Sequence, residues 1–219
     1  MKPILLGLFS SLAAAPWALA QQTVDPVGSK GYERGPTWIL GGEGGWDLLT
    51  IDSLSHRLYI ARATRAMVVN SDTGALIGEI PGNGVHGVAV SPLTNRGFVT
   101  NGKDNTVTIF DLKTLAVLGH IAVGNKPDAI ALDPSTGNVF VCNNGGTTLS
   151  VLDPLSGEVK ATVDVGGNPE LVTVDGQGLL CTNLEDKDEV AVIDTKVLKL
   201  VAHWPLFPGK GPSGIAIDG

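Results

Sequence analysis

Residues 85–126 read VHGVAVSPLTNRGFVTNGKDNTVTIFDLKTLAVLGHIAVGNK, and the fold is decided there. Four short apolar segments, Val85–Ser91, Phe98–Asn101, Val107–Asp111 and Ala116–Ile121, are separated by runs of Gly, Pro, Asn and Asp. Each is rich in β-branched residues and too short for a helix, so each reads as a strand bounded by turns. The phrase recurs on both sides. Its first segment reappears as Trp46–Asp52, Pro127–Asp133, Pro169–Asp175 and Pro212–Asp218, at intervals of 39, 42, 42 and 43 residues. Its second reappears as Tyr59–Arg62, Phe140–Asn143 and Leu180–Asn183, and its third as Ala66–Asn70, Leu149–Asp153 and Val190–Asp194. Leu76–Ile80, Val159–Val163 and Lys199–Trp204 supply the fourth.

Four strands in about 42 residues, repeated in tandem, are blades of a β-propeller: an all-β fold of four-stranded antiparallel sheets. Beyond residue 20 no window shows a helical apolar period. The turns Asn70–Gly74, Asp133–Gly137 and Asp153–Gly157 open on a side chain that can accept a backbone N–H two residues on, and close on a residue that tolerates positive φ. Their aspartates are expected to be turn formers. So are Asn101, Asn143 and Asn183 at the ends of second strands, as residues that enter the left-handed region.

The segments Phe98-Val-Thr-Asn101, Phe140-Val-Cys-Asn143 and Leu180-Cys-Thr-Asn183 resemble the tyrosine-valine-threonine-asparagine repeat. With Pro127-Asp-Ala-Ile130 and Val190-Ala-Val-Ile-Asp-Thr195 at its flanks, the chain resembles the exported YncE-like family of YVTN-repeat propellers from about residue 37 onward. The resemblance implies a seven-bladed ring, which needs about 290 residues at this period. The 219 residues hold about four and a half blades, so a truncated seven-bladed ring is expected, a monomer if full length, with a self-contained small propeller or a homodimeric ring as the alternative. Pro36–Leu40 is expected to be an outer strand that latches the ring, and Arg62, in place of the usual Asn, to give the first blade a different loop.

The termini and the charge bound the setting. Residues 1–20 carry a basic start, the apolar run Ile4–Ala15 and the small-residue site Ala18-Leu19-Ala20, the layout of a secretory signal peptide. Residues 21–35 then form a linker and 36–219 the propeller, in a periplasmic or secreted protein. The mature chain has 14 basic against 22 acidic side chains, a net charge of −8. With no five-residue window holding more than two Lys or Arg, nucleic acid and anionic lipid are poor partners, and a small molecule or protein is the expected one. Cys142 and Cys181 fall on equivalent strands of neighbouring sheets. Packed faces lie about 10 Å apart, whereas bridged Cα atoms need about 4.4–6.8 Å, so two unbridged buried thiols are expected.

In a propeller the first strand of each blade lines the central channel, and the loops entering it form one face. Asp47, His86, Asp128 and Glu170 hold matching positions there, one per blade. Three carboxylates and an imidazole converging on a channel mouth can bind a metal ion or a cationic ligand, or hydrate the mouth as a polar rim. Trp46 stands beside them, either as a packed anchor of the first blade or as a stacking surface. The second-to-third-strand loops carry Arg62, Arg65, Lys103, Asp104, Asn144 and the charge run Glu185–Glu189, read as a solvated face. His56, His120 and His203 have no partner that spacing supplies.

Gly82-Asn-Gly-Val-His-Gly87 fits a dinucleotide-binding pattern, but a strand follows where the pyrophosphate would need a helix N-terminus, so it is a turn between blades. Gly41–Gly45 lacks the Lys-Ser/Thr ending of a phosphate loop. No G-x-S-x-G, H-E-x-x-H or C-x-x-C occurs, so nucleophilic, zincin and dithiol chemistry have no motif, and no cofactor is named. The expected function is non-catalytic binding at the channel-mouth face. The alternative implied by similar repeats is a metal-dependent lactonase or a subunit of a quinone-dependent dehydrogenase.

Overall fold

In the computed structural model residues 35–217 are described, so the expected signal peptide, nearly all of the linker and Asp218 lie outside the described residues. From Trp38 onward the described chain forms one compact unit. Sixteen strands make four antiparallel sheets. The first holds β1 (Leu49–Asp52), β2 (Arg57–Arg62), β3 (Arg65–Asn70) and β4 (Leu76–Pro81). The second holds β5 (Val85–Ser91), β6 (Arg96–Asn101), β7 (Thr106–Asp111) and β8 (Val117–Ala122). The third holds β9 (Pro127–Leu132), β10 (Val139–Asn143), β11 (Thr148–Leu152) and β12 (Val159–Asp164). The fourth holds β13 (Pro169–Val174), β14 (Leu179–Leu184), β15 (Glu189–Asp194) and β16 (Lys199–Pro205). Each sheet is a meander in sequence order, the hairpins following from tight turns between short strands of four to seven residues.

The turns form as their residues dictate. Asn70, Asp133 and Asp153 each accept a bond from the backbone N–H two residues on, at 2.8–3.0 Å, and the closing glycines Gly74, Gly137 and Gly157 sit at φ 72–75°. In two sibling turns a leucine takes the closing place, Leu115 at φ 61° and Leu198 at φ 55°.

Successive sheets pack face to face over apolar layers, because alternate residues of every strand point to opposite faces. Tyr59 and Val68 of the first sheet meet Val88, Val99 and Phe110 of the second. Phe98 and Ile109 of the second meet Ile130, Val141 and Leu152 of the third. Phe140 and Leu149 of the third meet Val172, Leu180 and Ile193 of the fourth. First strands of neighbouring sheets lie side by side, where Leu48 N–H donates to His86 O at 3.2 Å and Thr50 Oγ1 to Val88 O at 2.6 Å. This is the radial arrangement of propeller blades. On the outer face of the first sheet, Leu49 is 59% exposed, whereas its equivalents Val88, Ile130 and Val172 are 2–9% exposed against a preceding sheet.

Four expectations are corrected. Pro36–Leu40 forms no strand: Leu40 packs on Ile60, Met67 and Val69, and the Trp38 ring lies where a side chain at Gly74 would sit. Residues 212–217 form no fifth first strand, for no second strand pairs with them, and Pro212 O instead accepts a bond from Asn183 Nδ2. The strand-end asparagines do not turn the chain: among the described residues the positive-φ asparagines are Asn95 and Asn105. Asn101 and Asn143 are buried brackets, each donating to two hydroxyls on the next strand, Thr106 and Thr108 or Thr148 and Ser150, at 2.8–3.1 Å.

The fourth correction concerns register. The letters align Asn183 with Asn143, yet Asn143 pairs with Thr148 whereas Leu184 pairs with the equivalent Glu189. The stretch from Asn183 to Glu189 is one residue longer than its counterparts, and the hairpin keeps its four-residue loop by sliding the strand. A slide of one residue swaps faces. Thr182 therefore points at the third sheet, where its hydroxyl lies 3.7 Å from Cys142 Sγ. Both cysteines are buried and unbridged, and burial pushes the Cys142 thiol up to about 12.

Among the described residues no helix is long and apolar enough to cross a membrane.

Candidate functional site

The first strand of a blade should alternate in and out, but β5, β9 and β13 each break step near their start. Val85 pairs with Asn101 and Val88 with Val99, so β5 carries one residue more than its partner. The same extra residue lies between Pro127 and Ile130 and between Pro169 and Val172. Such a bulge turns a side chain away from the sheet face. The residues it holds here are His86, Asp128 and Glu170, which is why polar groups stand at the mouth of an otherwise apolar strand. Gly87 makes the second bulge possible at close quarters: a Cβ there would come within 3.1 Å of Asp128 O and of the Ile130 side chain.

Asp47 arrives from the segment before β1, fixed by its N–H to Ala61 O at 3.0 Å. Its Oδ2 lies 2.8 Å from His86 Nδ1, and Asp128 Oδ2 lies 3.9 Å from the same nitrogen. One imidazole nitrogen thus faces two carboxylates from the sheets on either side. The three ligand-type atoms lie within 4.8 Å of one another, a spacing at which they could hold a metal ion. The opposite edge of the ring rests on Gly102, where an added Cβ would meet Nε2 and Cδ2 at 2.9 Å. Burial raises the Asp128 pKa, with the Asp47 charge adding to it and His86 opposing it.

Glu170 stands outside this trio. Asn144 Nδ2 donates to its Oε2 at 2.6 Å, and Lys126 Nζ donates to Asn144 Oδ1 at 2.7 Å. Burial raises the Glu170 pKa too, helped by the Asp128 charge. Lys126 escaped the sequence reading because it lies in an entering loop with no counterpart of its type in other blades.

A cleft of about 460 Å³ opens beside the trio, lined by Trp46, Asp47, Ala63, Val85, His86, Lys103, Lys126 and the glycines Gly45, Gly84 and Gly102. Trp46 is 79% exposed, an open ring at the cleft wall on the first sheet, whereas its equivalents Val85, Pro127 and Pro169 are buried against a preceding sheet. The loop leading to it is gripped by Arg62, whose guanidinium donates to the carbonyls of Gly41, Gly42, Glu43, Gly44 and Gly45 at 3.0–3.3 Å. The loop after Arg62, where the usual Asn is missing, does differ: Arg62 pairs with Arg65 across two residues, against four between Asn101 and Thr106 or Asn143 and Thr148.

Elsewhere three histidines gain partners and one expectation is corrected. His56 pairs with Asp72 at 2.8 Å between two turns of the first sheet, while His203 pairs with Glu189 at 2.6 Å and His120 Nδ1 lies 3.1 Å from Thr108 Oγ1 across hairpins, none of which sequence spacing reveals. The Glu185–Glu189 run is more than a solvated face, because Asp186 and Asp188 accept the backbone N–H groups of Asn168 and Gly211 at 2.7 Å.

The fold and the mouth arrangement define a propeller-type protein. No protein-family description matches the chain, and no curated protein matches it. Among solved structures it is similar to a hydrazine synthase of Kuenenia stuttgartiensis, with a TM-score of 0.69 at 20% identity over 80% of this chain. The match spans 52% of that chain, about half its length. At that identity the likeness is one of fold.

Proposed function

We propose that the chain is an exported YVTN-repeat propeller of the YncE-like kind, periplasmic or secreted, which binds a small molecule at its channel-mouth face without transforming it. The observation that carries the reading is Trp46: a large aromatic ring left 79% exposed on the wall of a cleft of about 460 Å³, beside His86 and Asp47. Ligand cavities span about 300–1,000 Å³ and combine apolar walls with a few convergent polar groups. The acidic net charge and the carboxylates of Asp47 and Asp128 favour neutral or cationic guests. A sugar or a cyclic amine, presenting the C–H face of its ring, fits an exposed indole flanked by hydrogen-bonding groups.

A panel of neutral sugars, sugar lactones and cyclic amines, titrated while tryptophan fluorescence and melting temperature are followed, tests it. Saturable quenching with a raised melting temperature, lost in Trp46→Ala, is the expected result. A panel that moves neither signal refutes the reading. The lactone members examine a second reading, a hydrolase, which the meeting of Asp47, His86 and Asp128 favours. Release of hydroxy acid from a lactone would replace the binding role with that one.

A further inference from the structure

We infer that Asp47, His86 and Asp128 form a site for one divalent transition-metal ion of the zinc class, held jointly by the first three sheets and open toward the Trp46 cleft. The inference rests on the mouth face being a ligand-binding face, and it names the ion that face takes.

The donor set argues first. One imidazole nitrogen and two carboxylate oxygens suit zinc and its neighbours, whereas calcium and magnesium prefer oxygen alone. Two carboxylates also neutralise a dication. Three protein ligands leave a fourth position free, the pattern of sites that keep a place for water or a guest.

Geometry argues second. Ligands of a tetrahedral zinc ion at about 2.0–2.1 Å stand roughly 3.3 Å from one another. His86 Nδ1 already lies 2.8 Å from Asp47 Oδ2 and 3.9 Å from Asp128 Oδ2, so small rotations bring all three into register. The ligating nitrogen is fixed as well. Nδ1 faces the carboxylates, while the Nε2 edge is seated on Gly102, leaving no room there for a Cβ. The bond Nδ1 now makes to Asp47 shows the orientation that the ion would take over, with the ring proton moving to Nε2.

Position argues third. Asp47, His86 and Asp128 come from different sheets, two of them on strands bulged at the ligand position. The cleft reaches two of the three ligands, Asp47 and His86, so a guest on Trp46 can fill the open coordination place.

Calorimetric titration of the full chain, stripped with EDTA, with zinc chloride and separately with calcium chloride tests the site. One zinc per chain with no calcium heat is expected. His86→Ala and Asp128→Asn should weaken zinc at least tenfold. Gly102→Ala, which removes no ligand but displaces the ring, should weaken it about 10–100-fold, the range for groups that only orient a ligand. His203→Ala should leave it unchanged, and circular dichroism of each variant shows whether it keeps its β structure. Cobalt in place of zinc should give a visible band without thiolate character, since both cysteines are buried elsewhere. Absence of zinc heat, or zinc heat that survives His86→Ala in a folded variant, overturns the inference. Where zinc heat is absent but the stripped protein still shows Trp46-dependent quenching by the sugar and amine panel, only the metal site falls and the cleft reading stands.

Discussion

Replacing Asn101 with glycine separates two accounts of a residue found at the end of a second strand. If the side chain served a left-handed turn, glycine would adopt that conformation freely and the variant would match or exceed the parent in stability. The structure gives the residue other work. Asn101 is 1% exposed; its Oδ1 accepts Asn83 N–H at 3.2 Å, and its Nδ2 donates to Thr106 and Thr108 at 3.1 and 2.8 Å. Three hydrogen bonds at about 1 kcal/mol each give about 3 kcal/mol, and placing glycine in a strand adds about 0.5–1 kcal/mol. The total is about 4 kcal/mol, or roughly 8–16 °C in melting temperature for a domain of this size. Urea unfolding of both proteins, followed by far-ultraviolet circular dichroism, reads the difference directly from the midpoints, provided the slopes agree. A glycine variant as stable as the parent would refute the bracket and restore the turn.

Other outcomes follow from the same description. Gly97→Ala should destabilise by about 1–3 kcal/mol in urea, because the new methyl group would overlap the buried Phe110 ring. Arg62→Gln should leave the sheets intact yet raise deuterium uptake across residues 41–45, whose carbonyls lose their shared donor. Cys142, buried and pushed up to about 12, should resist a thiol reagent at neutral pH until urea opens the fold. Backbone N–H bonds hold Asp111, Asp153 and Asp175 below the usual aspartate range. Their stabilisation is therefore full above the unfolded value near 4 and disappears as pH falls through the lower folded values, so midpoints should drop on acidification below about pH 4.

The sheets were legible because strand length, turn chemistry and period agree in every repeat: Asp153-Pro-Leu-Ser-Gly157 can be little else than a turn between two four- to six-residue strands. Convergence of Asp47, His86 and Asp128 was legible too, since equal positions in successive blades must face one mouth. The bulges were written in the letters but harder to see, as apolar residues three apart, Val85 and Val88 or Pro127 and Ile130, where a plain strand would space them by two. The bracket role of Asn101 was hidden, because asparagine at a strand end has the same composition whether it turns the chain or ties two strands. Trp46 was ambiguous for a similar reason: a large ring suits a core and a binding wall alike, and only exposure separates them.

The slipped register of the fourth sheet has a consequence for anyone who would exchange repeats within this chain. Moving Leu180–Leu184 into the third blade by its letters would carry Thr182 and Asn183 to the faces opposite those they serve now, setting a hydroxyl against the wrong neighbour. A transplant that keeps hairpin length, with Leu184 entering at Asn143, would preserve every inward and outward choice. In this molecule the interchangeable unit is the hairpin measured from its loop, not the four-letter motif by which the eye finds it.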